Sequence, residues 1–106
     1  MKVIYHEAAR TDLIRQFRYY LVNRDLPEIA SRFKDAVKRT VREVSLHPQI
    51  GAPVHSRNLH LQGLRAWPVQ RFPAIRVYFV VEKQTLKVLR ILHGKQNVRK
   101  ILEKLV

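Results

Sequence analysis

The sequence predicts an α+β domain: β-α-α-β-β-β with a short closing helix, a helix hairpin packed on a small, mostly antiparallel sheet. Three observations predict it. A short β-branched and aromatic run opens the chain. Two long stretches follow in which apolar residues recur every three or four positions. After an interval rich in proline and glycine come three runs that read as strands.

Lys2-Val3-Ile4-Tyr5-His6 is the first strand. From Glu7 the period changes: Ala9, Leu13, Ile14, Phe17 and Leu21 share one helical face, and Arg10, Arg15 and Arg18 fall largely outside it. Glu7 is well placed for the N-terminal dipole of that helix. Asn23-Arg24-Asp25 breaks the pattern, and Pro27 suits the first turn of a second helix. There Ile29, Phe33, Ala36, Val37, Thr40, Val41 and Val44 form one stripe, with Arg32, Lys34, Lys38, Arg39 and Arg42 around the remaining circumference. Pro48 ends it, because the residue before a proline is pushed out of the helical region. The short link over 23–26 implies an antiparallel hairpin.

Residues 47–63 contain Pro48, Gly51, Pro53, Ser56 and Gly63 and are expected to form a long loop, of a length that is often functional. Leu64 to Val69 is the next strand, and Trp67-Pro68 within it suggests an edge or a bulge. Ile75 to Glu82 alternates as a strand should. Leu86 to Leu92 follows after Lys83-Gln84-Thr85, a link short enough for a hairpin. In the tail Val98, Ile101, Leu102 and Leu105 have helical spacing. No repeat, linker or low-complexity segment interrupts the chain, so residues 1–106 are expected to be one domain.

Charge narrows the class of partner. Among 106 residues, 21 are basic and 8 acidic, for a net charge of +13. The second half is the more basic, because only Glu82 and Glu103 are acidic beyond residue 53. Such a field steers polyanions toward the surface and burdens the isolated fold with self-repulsion. The partner should be nucleic acid or an acidic protein. There is no cysteine, so neither disulfides nor thiolate chemistry enter. The N-terminus lacks the apolar stretch of a signal peptide. The longest apolar run, Val77 to Val81, is too short to span a bilayer. A soluble cytoplasmic protein is expected.

Metal and cofactor chemistry find little support. No zinc-binding motif is present, and His55 and His60 lie in a turn-rich loop without nearby carboxylates. Gly51, Gly63 and Gly94 are isolated, so no glycine loop cradles a phosphate. No cofactor or metal is expected. The enzymatic alternative is a metal-free endoribonuclease, which needs proton-transfer groups and cations for the crowded phosphorane. His93 or Tyr78 could move protons, with Arg65, Arg71, Arg76 and Arg90 as cations. Against it, His93 has no orienting partner in the sequence and stands before Gly94, where a turn residue serves equally well. Trp67 could stack on a base, pack on the sheet or anchor an interface.

Three strings carry a resemblance. They are Glu7-Ala8-Ala9-Arg10-Thr11-Asp12-Leu13, His47-Pro48-Gln49-Ile50-Gly51-Ala52-Pro53-Val54, and Leu64-Arg65-Ala66-Trp67-Pro68-Val69 leading into Val88-Leu89-Arg90-Ile91-Leu92-His93-Gly94. In this order and spacing the chain resembles the ParE-type toxins of the RelE/ParE superfamily, the toxin half of type II toxin–antitoxin modules. The resemblance implies the α+β fold derived above and a growth-inhibiting toxin that blocks DNA gyrase. It also implies a small acidic ParD-like antitoxin with a ribbon-helix-helix DNA-binding portion. Arg65, Trp67, Arg71, Arg90, His93 and Lys95 are the expected target-facing residues, and nucleic-acid contact is expected to be indirect. Leu13, Phe17, Leu21, Phe33 and Val37 are expected to serve the antitoxin groove or the core. The alternative is the RelE branch, ribosome-dependent cleavage of messenger RNA, here using Arg65, Arg90 and His93. No tyrosine follows Tyr78, and the tail ends in an aliphatic helix, both departures from the RelE pattern. Phe72-Pro73-Ala74 departs from the ParE pattern, and its proline is expected to loosen or bulge the edge.

Overall fold

The computed structural model describes residues 1–105. Its elements run β1 (Lys2–Tyr5), α1 (Glu7–Arg18), a π-turn over Tyr19–Asn23, α2 (Pro27–Leu46), β2 (Ala52–Pro53), a 3₁₀ turn over Leu59–Leu61, β3 (Arg65–Val69), β4 (Phe72–Glu82), β5 (Thr85–His93) and α3 (Val98–Glu103). The helix hairpin and the three-stranded meander are those the sequence predicts.

The hairpin turn is built in three steps. The end of α1 widens, so that the Arg24 N–H donates to the Tyr19 carbonyl five residues back, at 3.1 Å. Asp25 then takes φ 51°, a left-handed conformation that a short polar residue tolerates. Pro27 opens α2, where its missing N–H leaves no acceptor unserved. The buried face of α2 comprises Ala30, Phe33, Ala36, Val37, Thr40, Val41 and Val44, the stripe predicted from spacing except that Ala30 is buried and Ile29 only partly so.

The sheet has five strands in the order β1-β5-β4-β3-β2. Three of its four pairings are antiparallel. The exception is β1, which lies parallel to β5, with Val3 opposite Leu86 and Tyr5 opposite Val88. Two expectations need correction. The interval 47–63 is not all loop: Ala52 and Pro53 pair with Ala66 and Arg65 and cover the edge of β3. The strand predicted from Ile75 begins at Phe72, so Phe72-Pro73-Ala74 belongs to β4, with the bulge expected of its proline. The strand admits Pro73 because the register slips there: Val69 opposes Phe72 while Pro68 already opposes Arg76. Residues 73–75 thus form the bulge that proline chemistry favours.

Gly51 makes β2 possible. Its φ is 101°, and a Cβ there would lie 2.9 Å from the Ala66 carbonyl oxygen and 3.2 Å from the Phe79 ring. Only glycine accepts both the backbone conformation and that approach.

The sheet is covered on both faces. On one side, Ala9 of α1 and Phe33, Val37, Val41 and Val44 of α2 pack on Val77, Phe79, Val88 and Ile91. On the other, Leu102 of α3 and Leu61 of the 3₁₀ turn close over Tyr78, Val80, Leu89 and Leu92. Among the described residues no helix is long and apolar enough to cross a membrane.

Candidate functional site

β1 ends at Tyr5, so beyond Val88 the outer edge of β5 has no strand beside it. An exposed edge of this kind invites pairing with other chains. Here α1 closes it with two side chains one helical turn apart. Asp12 Oδ2 accepts the Ile91 N–H at 2.9 Å, and Gln16 Nε2 donates to the Ile91 carbonyl at 2.8 Å. Asp12 and Gln16 can act together because positions i and i+4 share a helix face.

The same carboxylate also binds Arg90. A bulge between β4 and β5 places Arg90 opposite Tyr78 and Val88 opposite Phe79, with Leu89 extra. Arg90 then donates to Asp12 twice, Nε to Oδ2 at 2.7 Å and Nη2 to Oδ1 at 2.8 Å. Arg15 Nη2 adds a longer contact to Oδ1 at 3.2 Å. Asp12 is wholly buried. A buried carboxylate is tolerable only when paired and hydrogen-bonded, and this one has four donors. The hydrogen bonds to Asp12 hold the Arg90 pKa above that of an ordinary guanidinium.

Two further residues expected to face a target are also engaged internally. Arg65 Nη1 donates to the carbonyls of Gly51, at 2.9 Å, and Gln49, at 3.3 Å, which ties the loop after α2 to β3. Trp67 packs against the main core, and its Nε1–H donates to Glu43 Oε1 on α2 at 2.9 Å. Arg65, Trp67 and Arg90 therefore hold loop, helix and sheet edge together. These contacts also explain why the three strings occur as a set. Asp12 of the first meets Arg90 and Ile91 of the third, and Gly51 of the second lies against Ala66 and beneath Arg65 of the third.

His93 is a turn residue in this structure. Its Nδ1 accepts the Lys95 N–H at 3.0 Å, and its own backbone N–H donates to Gln96 Oε1 at 2.8 Å. Arg65 and Arg90, the cations the ribonuclease alternative needs, are on strands separated by β4, each with acceptors of its own. Among the described residues no three His, Asp or Glu side chains come close enough to hold a metal ion.

Arg71 and Lys95 are exposed. The register brings them to the same end of the sheet as His93: Arg71 immediately precedes β4, Ile75 opposes His93, and the Gly94 N–H donates to the Ala74 carbonyl. The residues expected at an antitoxin groove divide. Phe33 and Val37 are fully buried in the main core and present no surface, a correction that follows from their place on the inner face of α2. Leu13 and Phe17 are half-buried and line a small apolar cleft with Ile14 and Lys34. Ile14 is 55% exposed, and toward the hairpin tip Leu21 and Val22 are 37% and 70% exposed. Spacing placed Ile14 on the inner face; it lies at the margin of the stripe, and α1 turns that margin outward.

Residues 3–98 match the family described as the ParE toxin of type II toxin–antitoxin systems, parDE. Among solved structures, a chain of the chromosomal ParDE toxin–antitoxin system from P. aeruginosa superposes with a TM-score of 0.68 at 22% identity, covering 88% of this chain and 95% of that one. The YoeB/ParE toxin from Agrobacterium tumefaciens superposes with a TM-score of 0.55 at 13% identity, covering 88% and 98%. These two likenesses concern the fold. No curated protein matches the chain.

Proposed function

The chain belongs to the ParE toxin family of type II toxin–antitoxin systems, and on that premise we propose that it arrests growth in the cytoplasm by binding DNA gyrase rather than by cutting RNA. The observation that carries this choice is the state of the would-be nuclease residues. Arg90 is bound bidentately by a buried carboxylate, Arg65 by backbone carbonyls, and His93 Nδ1 by the Lys95 N–H. A phosphorane needs free cations and a free base converging on one point. The gyrase-facing surface is the end of the sheet that carries Arg71, His93 and Lys95.

The antitoxin is an acidic ParD-like protein with a ribbon-helix-helix portion for DNA. It lays an amphipathic helix along Leu13, Ile14, Phe17 and Leu21, with an acidic residue toward Lys34. The apolar strip from half-buried Leu13 and Phe17 to exposed Ile14 and Leu21 supports this reading, because a strip of this kind fits a helix-in-groove partner.

The purified chain should inhibit gyrase supercoiling and leave messenger RNA on ribosomes intact. Specific RNA cleavage that disappears in His93→Ala would establish the endoribonuclease instead. The antitoxin surface is tested separately: Ile14→Asp should abolish neutralisation by a cognate acidic antitoxin while leaving gyrase inhibition unchanged.

A further inference from the structure

Away from the α1–β5 seam, an open cleft of about 670 Å³ lies between α2 and the β3–β4 turn. Arg32, Arg39 and Arg71 line it, with Gln70, Asp35 and Phe72 among their neighbours. We propose that this cleft is a binding site for the sugar–phosphate backbone of duplex DNA, contacted directly by this chain.

The three arginines are unpaired among the described residues. Among the described residues, none of them makes an ion pair or side-chain hydrogen bond, whereas Arg15, Arg65, Arg90 and Arg99 all do. Asp35 lies between Arg32 and Arg39 in sequence yet is in salt-bridge range of neither, so the cleft keeps an excess of positive charge. Guanidinium groups gathered this way repel one another until an anion is supplied. Arginine rather than lysine suits phosphate oxygens, which its planar fork binds in pairs.

The cleft is also held in shape. The β3–β4 turn is pinned to α2 by Thr40, whose buried hydroxyl donates to the Ala36 carbonyl at 2.7 Å and accepts the Gln70 N–H at 3.0 Å. Arg71, next in the turn, has φ 66°. This anchoring fixes Arg71 across the cleft from the arginines of α2.

Composition favours a backbone over bases. Arg32 and Arg39 are seven residues apart, about two turns of α2, so both reach the cleft from one helix face. Single-stranded nucleic acid would call for an aromatic stacking surface. Phe72, the aromatic residue lining the cleft, is instead packed edge-on against Phe33 and Tyr20, with ring centroids 5.3 and 5.8 Å away. Recognition should therefore be independent of sequence, and it does not depend on gyrase being the target.

The test is binding of the purified chain to a short fluorescent duplex of arbitrary sequence, by anisotropy over a series of salt concentrations and without gyrase. The triple variant Arg32→Gln/Arg39→Gln/Arg71→Gln should weaken binding equally on different sequences. It should also flatten the dependence of log K on log salt by about 1 per arginine. The comparison variant Lys2→Gln/Lys100→Gln/Lys104→Gln removes the same charge elsewhere and should leave most of the affinity and slope in place. Equal losses in the two variants would reduce the cleft to a share of the general positive field and overturn the proposal. So would tighter binding of single-stranded RNA, or of polyglutamate, than of the duplex.

Discussion

The α1–β5 seam and the α2 cleft use the same side chain under opposite conditions. At the seam Arg90 faces a fully buried Asp12, accepts no solvent competition on its inner side, and completes a network that also closes the edge of β5. In the cleft Arg32, Arg39 and Arg71 stand open to water, and Asp35, which also lines it, forms an ion pair with none of them. The difference lies in what surrounds each charge, not in the charge itself. An arginine with a buried counterion is part of the scaffold; one held in place without a counterion is available to an outside anion.

The largest effect that would sharpen this contrast comes from removing the shared carboxylate. Asp12→Ala leaves Arg90 partly buried and unpaired and the Ile91 N–H without an acceptor. It should lower stability by about 3–5 kcal/mol, the usual range for breaking one side of a buried pair. Urea unfolding gives the value, and a loss below about 1 kcal/mol, typical of surface pairs, would show that the seam is not structural. A smaller effect is expected from Arg90→Lys, which keeps the charge and loses the bidentate fork: about 1–2 kcal/mol in the same measurement. The smallest belongs to the cleft. Arg32→Gln/Arg39→Gln/Arg71→Gln should change stability by no more than about 0.5 kcal/mol per site, as surface substitutions do, or raise it slightly as repulsion falls. A thermal midpoint that drops sharply in this variant would erase the distinction between the two regions.

Much of the scaffold is legible from local patterning. The stripe from Phe33 to Val44 and the alternation from Ile75 to Glu82 each follow the period of their own element, so reading them needs no distant partner. The site is less legible. Asp12 looks like an ordinary acid in an amphipathic helix, and only its position against Ile91, seventy-nine residues away in sequence, makes it the centre of a network. Arg65 and Arg90 attract attention as cations in strands, yet spacing cannot say that carbonyls and a carboxylate already bind them. Ala52-Pro53 reads as loop because a two-residue strand has no period; its pairing rests on Gly51 allowing the approach to Ala66.

The sequence by itself determined the element order, the inner face of α2, the break at Pro48 and a net charge that calls for an anionic partner. These follow from periodicity, proline geometry and composition, which act over a few residues or over the whole chain at once. Tertiary structure decided the parallel docking of β1 on β5, the bulge that presents Arg90 to Asp12, and the meeting of Arg71 with the arginines of α2. Each of these depends on contacts between segments far apart in sequence. The hydrogen-bonding capacity of a buried edge or a pinned turn, not local preference, selects which side chains are consumed and which stay free.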